Sequence, residues 1–213
     1  YKIVCGDALT HIEINVFSIS KFDDFEELKK EYFSETNHER KIETKKKIDQ
    51  FFNELTDFGR LFDVRIYFSE VFHFNNGFDI VIGNPPYIQL QKDNGELGKK
   101  YEKENFVSFA KTGDIYALFY EKGAQILNNK GHLCFITSNK WMRAKYGEKL
   151  RQFFVLNTTP KIIIDFGGYA VFDSATVDTN ILLFQKKPKK ENSSIAETVP
   201  DYQKSKSNIL RAC

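Results

Sequence analysis

The chain has 213 residues, 41% of them hydrophobic, enough for one domain with a substantial core near the upper edge of typical domain length. Its formal net charge of +2 decides neither for nor against nucleic acid, because that would take a local basic groove. There is no apolar stretch near the roughly 20 residues of a membrane span, no signal peptide, and no metal-ligand spacing among Cys5, Cys134, Cys213 and four scattered histidines, so no membrane span, disulfide framework, zinc site or other metal is expected, and a cytoplasmic protein is.

In chain order, Lys2 to Cys5 is the first strand candidate and ends at Gly6-Asp7. Ser20 to Asp57 is rich in Lys and Glu, with apolar residues such as Phe25, Leu28, Ile48, Phe51 and Phe52. That pattern predicts one or two amphipathic helices, with a break near Thr36-Asn37. The segment is read as a solvated insertion over about residues 20–62, with a DNA-backbone or partner contact as the sharper alternative. Phe78 to Ile82 is a near-continuous apolar run ending at Gly83. Asp114 to Leu127 predicts a helix with Ile115, Leu118, Phe119 and Ala124 near one face, and Leu133 to Thr137 predicts a strand after the Asn128-to-Gly131 turn. Arg143 to Leu156 predicts a helix carrying Leu150, Phe153 and Phe154 on one face; Ile162 to Phe166 and Asn180 to Gln185 are the last strands.

Runs apolar on both faces suit buried parallel strands, which need helices on each side, so strand–helix alternation predicts an open α/β sheet. Only a loop separates the last two strands. The expected sheet is therefore mostly parallel with an antiparallel last strand at its edge. Residues 1–186 form this domain, and residues 187–213, opening with Lys187-Pro188-Lys189-Lys190, read as a polar linker, with a DNA-phosphate contact as the sharper alternative. The chain opens on Tyr1 and its only methionine is Met142, which reads as a piece of a longer polypeptide.

The segment Phe78-Asp79-Ile80-Val81-Ile82-Gly83-Asn84-Pro85-Pro86-Tyr87 passes from strand to stiff polar tip. Ligands of open α/β sheets bind beyond the carboxyl ends of the strands. Two prolines fix φ, donate no hydrogen bond and hold the turn rigid, and Asn84 adds a side-chain carbonyl. An exocyclic amine is a poor nucleophile because its lone pair is delocalised into the base. Two acceptors gripping its hydrogens, the Asn84 side-chain oxygen and the Pro85 backbone oxygen, would draw it towards tetrahedral geometry and restore that pair. Tyr87 supplies an aromatic face for stacking. Alone, such a tetrapeptide is an ordinary turn; its place after an apolar strand is what makes it a candidate catalytic tip.

The tip resembles the catalytic motif of the gamma-class DNA adenine-N6 methyltransferases. With Phe68-Ser69-Glu70-Val71-Phe72 before it and Ile88 after it, the stretch is similar to the large type IIG restriction–modification enzymes. Gly6-Asp7-Ala8-Leu9 resembles the family's cofactor-adenine motif; Asp7 would accept from the adenine amino group of S-adenosylmethionine, with Ala8 and Asn84 also at the cofactor. Phe172, before Asp173-Ser174-Ala175, resembles the aromatic that stacks on the extruded base. As alternatives, Asp7 is a turn residue, Phe172 a core aromatic, and Asp114 and Tyr116 simply cap and pack a helix.

The resemblance implies a Rossmann-like methyltransferase sheet whose first two strands lie upstream of Tyr1, since no Gly-x-Gly occurs and the first strand matches the family's third. The S-adenosylmethionine site would then be incomplete here and the fragment inactive by itself. A target-recognition domain is expected downstream and duplex DNA is the expected partner; any nuclease would lie upstream. Two rivals remain. Asn-Pro-Pro-Tyr also occurs in protein-glutamine methyltransferases of the release-factor kind, and the chain could be a non-catalytic nucleic-acid-binding scaffold piece.

Overall fold

A computed structural model describes residues 3–10, 12, 16–169, 171–172, 177–186 and 195–198. It divides into two compact units, residues 1–77 and 78–213.

The first unit is helical. Helices α1 (Val16–Ser34) and α2 (His38–Leu55) are separated at the expected place. The cause is local: Asn37 has extended backbone, and its side-chain oxygen accepts from the Glu39 and Arg40 N–H groups at 3.0 and 3.1 Å, satisfying donors the new helix leaves orphaned. Short helices α3 (Val64–Tyr67) and α4 (Ser69–Asn75) follow. Glu26 of α1 is buried, and the Lys29 ammonium answers it at 3.2 Å while reaching Ser69 and Glu70 of α4 at 2.9 and 2.5 Å. One cation thus joins two helices and neutralises a buried acid.

Asp63 caps α3 from a fully buried position, accepting from the N–H groups of Ile12 and Arg65 and from the Arg65 guanidinium. Burial alone would raise its pKa, but the Arg65 and backbone donors outweigh it and hold the carboxyl below its usual value of 3.8. A group depressed in the folded state contributes stability that is present above its unfolded pKa and lost as pH falls through the folded one. Acid should therefore melt this unit progressively below about pH 4. In circular-dichroism melts, Asp63→Asn should be less stable at pH 7 and flatter across that acid window.

The second unit holds the sheet. Its strands are β1 (Phe78–Gly83), β2 (Leu127–Ser138), β3 (Thr158–Asp165), β4 (Thr179–Lys186) and β5 (Ile195–Thr198), in the spatial order β1-β2-β4-β3-β5 among the described residues. β1 is parallel to β2 and β3 to β5, while β4 runs antiparallel to both β2 and β3. Helix α5 (Glu96–Glu102) lies between β1 and β2 in sequence, as does α6 (Tyr116–Ile126); α7 (Glu148–Asn157) connects β2 to β3. The core is aromatic: Tyr120, Phe135, Trp141, Phe153, Phe154 and Phe184 pack with Leu127, Leu133, Leu150 and Leu182.

Five features depart from expectation. Ile3 to Cys5 carry no strand and Ile3 is 94% exposed; the helical unit that holds them has no described strand to offer a hydrogen-bond ladder. β4 is reversed as expected, but it lies inside the sheet: the α7 crossover sets β3 one strand width away from β2, and β4 fills the gap by bonding to both. β5 falls within the stretch read as a polar linker. The Asn128-to-Gly131 turn is instead a bulge in β2, where the register against β1 jumps between Phe78 and Ile80. There the Asn128 amide donates to Asp79 at 2.7 Å, and a Cβ on Gly131 would lie 2.7 Å from the Phe78 carbonyl. Within the sheet unit β1 is covered on one face only: Val81 packs on the core, whereas Ile80 and Ile82 are 64% and 77% exposed.

Candidate active site

The parallel pairing of β1 and β2 fixes where the tip lies. Gly83 pairs with Phe135, β2 ends three residues later at Ser138, and Asn84 leaves the sheet at the same carboxyl edge. Gly83 fits closely there, since a Cβ would lie 3.0 Å from the Phe135 ring and the ring would have to shift. Asn84 and Pro86 are exposed, Pro85 is buried and Tyr87 is half-buried. The Tyr87 hydroxyl donates to the Asn84 side-chain oxygen at 2.8 Å and lies 3.3 Å from the Ile136 carbonyl. The Tyr87 ring packs on the aromatic core and meets Tyr116 edge-on at 6.3 Å. Burial pushes the Tyr87 pKa up, so it stays a donor at neutral pH. An amide oxygen has two lone pairs, and this bond uses one of them. The tyrosine predicted only as a stacking face thus also orients the asparagine, through a contact that sequence spacing does not reveal.

The far side of the tip is clamped. Ile115 N–H donates to the Ile88 carbonyl at 2.8 Å, Leu90 N–H donates to the Gly113 carbonyl at 2.9 Å, and Gln89 bridges Asp114 in antiparallel fashion. Asp114 does not cap α6 with its side chain. Its buried carboxylate accepts from the Tyr146 hydroxyl at 2.7 Å, and that hydroxyl lies 3.4 Å from the hydroxyl of the fully buried Tyr116. Tyr116 is driven far above the normal tyrosine range, chiefly by burial and then by Tyr146 and the Asp114 charge.

A second polar group at this edge went unpredicted. The Asn180 side-chain oxygen, on β4, accepts from Trp141 Nε1 and Thr137 Oγ1, each at 3.2 Å. The Asn139 amide and the Gly167 N–H donate to one Asp165 oxygen at 2.8 and 3.0 Å, at the end of β3. The available signal was polar residues placed just where apolar runs stop. Phe172 is half-buried in the connection from β3 to β4, whose two ends lie at this same edge; residues 173–176 of its motif are outside the described residues.

In the helical unit, the Asp7 carboxylate accepts from Leu9 N–H at 3.1 Å, and the Asp7 carbonyl accepts from the Thr10 hydroxyl at 2.8 Å. Asp7 is partly exposed and Ala8 exposed. Among the described residues no group of three or more His, Cys, Asp or Glu could hold a metal ion, and no helix is long and apolar enough to cross a membrane.

The family model described as Eco57I restriction-modification methylase matches residues 8–172. The type II restriction enzyme and methyltransferase RM.Eco57I of Escherichia coli is 36% identical over 132 residues, 61% of this chain and 13% of that protein. The type II methyltransferase M.BstVI of Geobacillus stearothermophilus is 33% identical over 97 residues, 46% of this chain and 17% of that protein. The chain thus spans under a fifth of the length of either relative. Among solved structures, the type IIG restriction endonuclease BpuSI superposes with a TM-score of 0.44 at 16% identity, over 57% of this chain and 15% of that one. The type IIL enzyme MmeI, in complex with DNA, gives 0.47 at 15% identity, over 71% and 23%.

Proposed function

We propose a function from one premise: the chain belongs to the Eco57I restriction-modification methylase family. The protein carrying it is a site-specific methyltransferase acting on the N6 amine of adenine in duplex DNA. The observation that carries this reading is the stiff Asn84-to-Tyr87 tip at the carboxyl edge of β1, with the Asn84 oxygen held by Tyr87 and one lone pair still available. That oxygen and the Pro85 carbonyl grip the two amine hydrogens. Their hold tightens as the nitrogen becomes tetrahedral, which lowers the barrier to chemistry. No charged base is needed at the outset, because the methylated nitrogen becomes acidic and releases its proton to solvent.

S-adenosylmethionine would supply an electrophilic methyl group. A partly exposed carboxylate suits its adenine amino group, so Asp7 is the residue that would hold it, beside Ala8. The test is methyl transfer by the full-length protein. Label should enter duplex DNA and be recovered as N6-methyladenine, with none on release factor; label on protein glutamine alone, or none at all, overturns the reading.

Reaching the amine means extruding the base, at a cost of a few kcal/mol. Stacking on an aromatic side chain returns roughly 1–3 kcal/mol per contact, and Tyr87 and Phe172 are the proposed pair. With 2-aminopurine at the target position, fluorescence should change on binding the wild-type protein and respond differently with Tyr87→Ala or Phe172→Ala. A wild-type signal and turnover in Phe172→Ala would make Phe172 a packing residue.

A further inference from the structure

We propose that Tyr146 is a positioning residue for the catalytic tip, acting through Asp114; the proposal rests on the methyltransferase reading above. Two routes lead from its hydroxyl to the tip. One is backbone: the hydroxyl holds the Asp114 carboxylate at 2.7 Å, and Asp114 is bridged to Gln89, two residues beyond Tyr87. The other is a ring: the hydroxyl lies 3.4 Å from that of Tyr116, which meets the Tyr87 ring edge-on. Tyr87 in turn holds the Asn84 oxygen.

A brace works only if its other end is fixed, and this one is. Tyr146 sits in a single turn, Lys145–Gly147, just before α7. The Arg151 guanidinium donates to the Trp141 and Ala144 carbonyls at 2.5 and 3.0 Å. Gly147 packs so closely on the Trp141 backbone that a Cβ there would collide with the Trp141 carbonyl. The Trp141 indole is tied to Asn180 of β4. The loop is therefore stapled to α7 and to the middle of the sheet, and Tyr146 carries that rigidity to Asp114.

The chemistry of the bond is one-way. Asp114 is buried and needs a donor. Burial and the Asp114 charge outweigh the Tyr116 hydrogen bond and push Tyr146 up to about 12, so it donates throughout the working pH range. Without this bond the Gln89–Asp114 clamp loses its anchor and the tip gains freedom. A misplacement of about 1 Å costs on the order of 100-fold in rate; loss of the hydroxyl cuts both routes but leaves the Ile88–Ile115 and Leu90–Gly113 backbone bonds in place, so it should cost less.

The experiment is single-turnover methylation by the full-length protein. Tyr146→Phe should slow the chemical step about ten-fold, with KM for duplex DNA within about two-fold of wild type. A purely structural role would lower melting temperature and leave the single-turnover rate of the folded protein untouched. The double variant Tyr146→Phe with Asp114→Ala should be slower than Asp114→Ala alone by much less than ten-fold, because Asp114→Ala has already cut the backbone route and leaves only the ring route for Tyr146→Phe to remove. Should Tyr146→Phe fold poorly, Asp114→Asn weakens the same bond from its other end, and a loss of about three-fold in the same step is expected. A wild-type rate in Tyr146→Phe, or in Asp114→Asn if it replaces it, overturns the proposal, as does a loss confined to KM. If the wild-type protein itself fails to methylate DNA, the methyltransferase reading falls and this inference with it; methylation by wild type with an unaffected Tyr146→Phe sinks this inference alone.

Discussion

Asn84→Ala in the full-length protein should reduce methyl transfer by about 100- to 1,000-fold while leaving DNA affinity nearly unchanged. In the proposed mechanism the asparagine oxygen works as the amine becomes tetrahedral, so its loss should fall on the transition state and not on binding. The structure sharpens the expectation. Tyr87 donates to that same oxygen, so truncation at Asn84 removes the acceptor and also leaves the Tyr87 hydroxyl with the more distant Ile136 carbonyl at 3.3 Å. Tyr87→Phe should accordingly be milder, since it removes the orienting bond and keeps both acceptors and the ring. Rates come from single turnover and affinities from fluorescence anisotropy. A wild-type turnover in Asn84→Ala would remove Asn84 from the mechanism.

Phe154→Ala should be the most damaging truncation in the sheet unit, at about 3–5 kcal/mol. Phe154 is 4% exposed and sits between four rings, with centroid separations of 5.1 Å to Tyr120, 5.2 Å to Trp141, 5.6 Å to Phe184 and 6.1 Å to Phe153. These belong to α6, the loop after β2, β4 and α7, so no single neighbour can move in to fill the hole without leaving its own element. Trp141, the single tryptophan, touches the cavity and reports it directly. Urea unfolding of the chain followed by its fluorescence should show the midpoint fall with little change in slope. A loss under about 1 kcal/mol would mean that the cluster collapses around the gap.

Both predictions draw on residues that the sequence named, yet their surroundings came from elsewhere. The α1–α2 break was legible because Asn37 caps α2 through atoms two and three residues away. The β1 run, the α6 helix and the polar tip were legible for the same reason: period, proline and capping act within a few residues. Covering on both faces of β1 was also expected from its apolar run, but the run says only that both faces can be buried. Which face meets the core depends on what packs there, and Ile80 and Ile82 are exposed.

By itself the sequence determined an α/β chain, a reversed β4, and a rigid acceptor-bearing tip beyond a strand. Only the tertiary structure decided that β4 lies inside the sheet, that Ile3 to Cys5 form no strand, and that Tyr146 holds Asp114 from 32 residues away. The reason is physical. A cap, a proline or an apolar period is written in neighbouring residues, whereas a strand's place in a sheet and the partner of a buried carboxylate are settled by which distant groups can satisfy each backbone and side-chain hydrogen bond once water is gone.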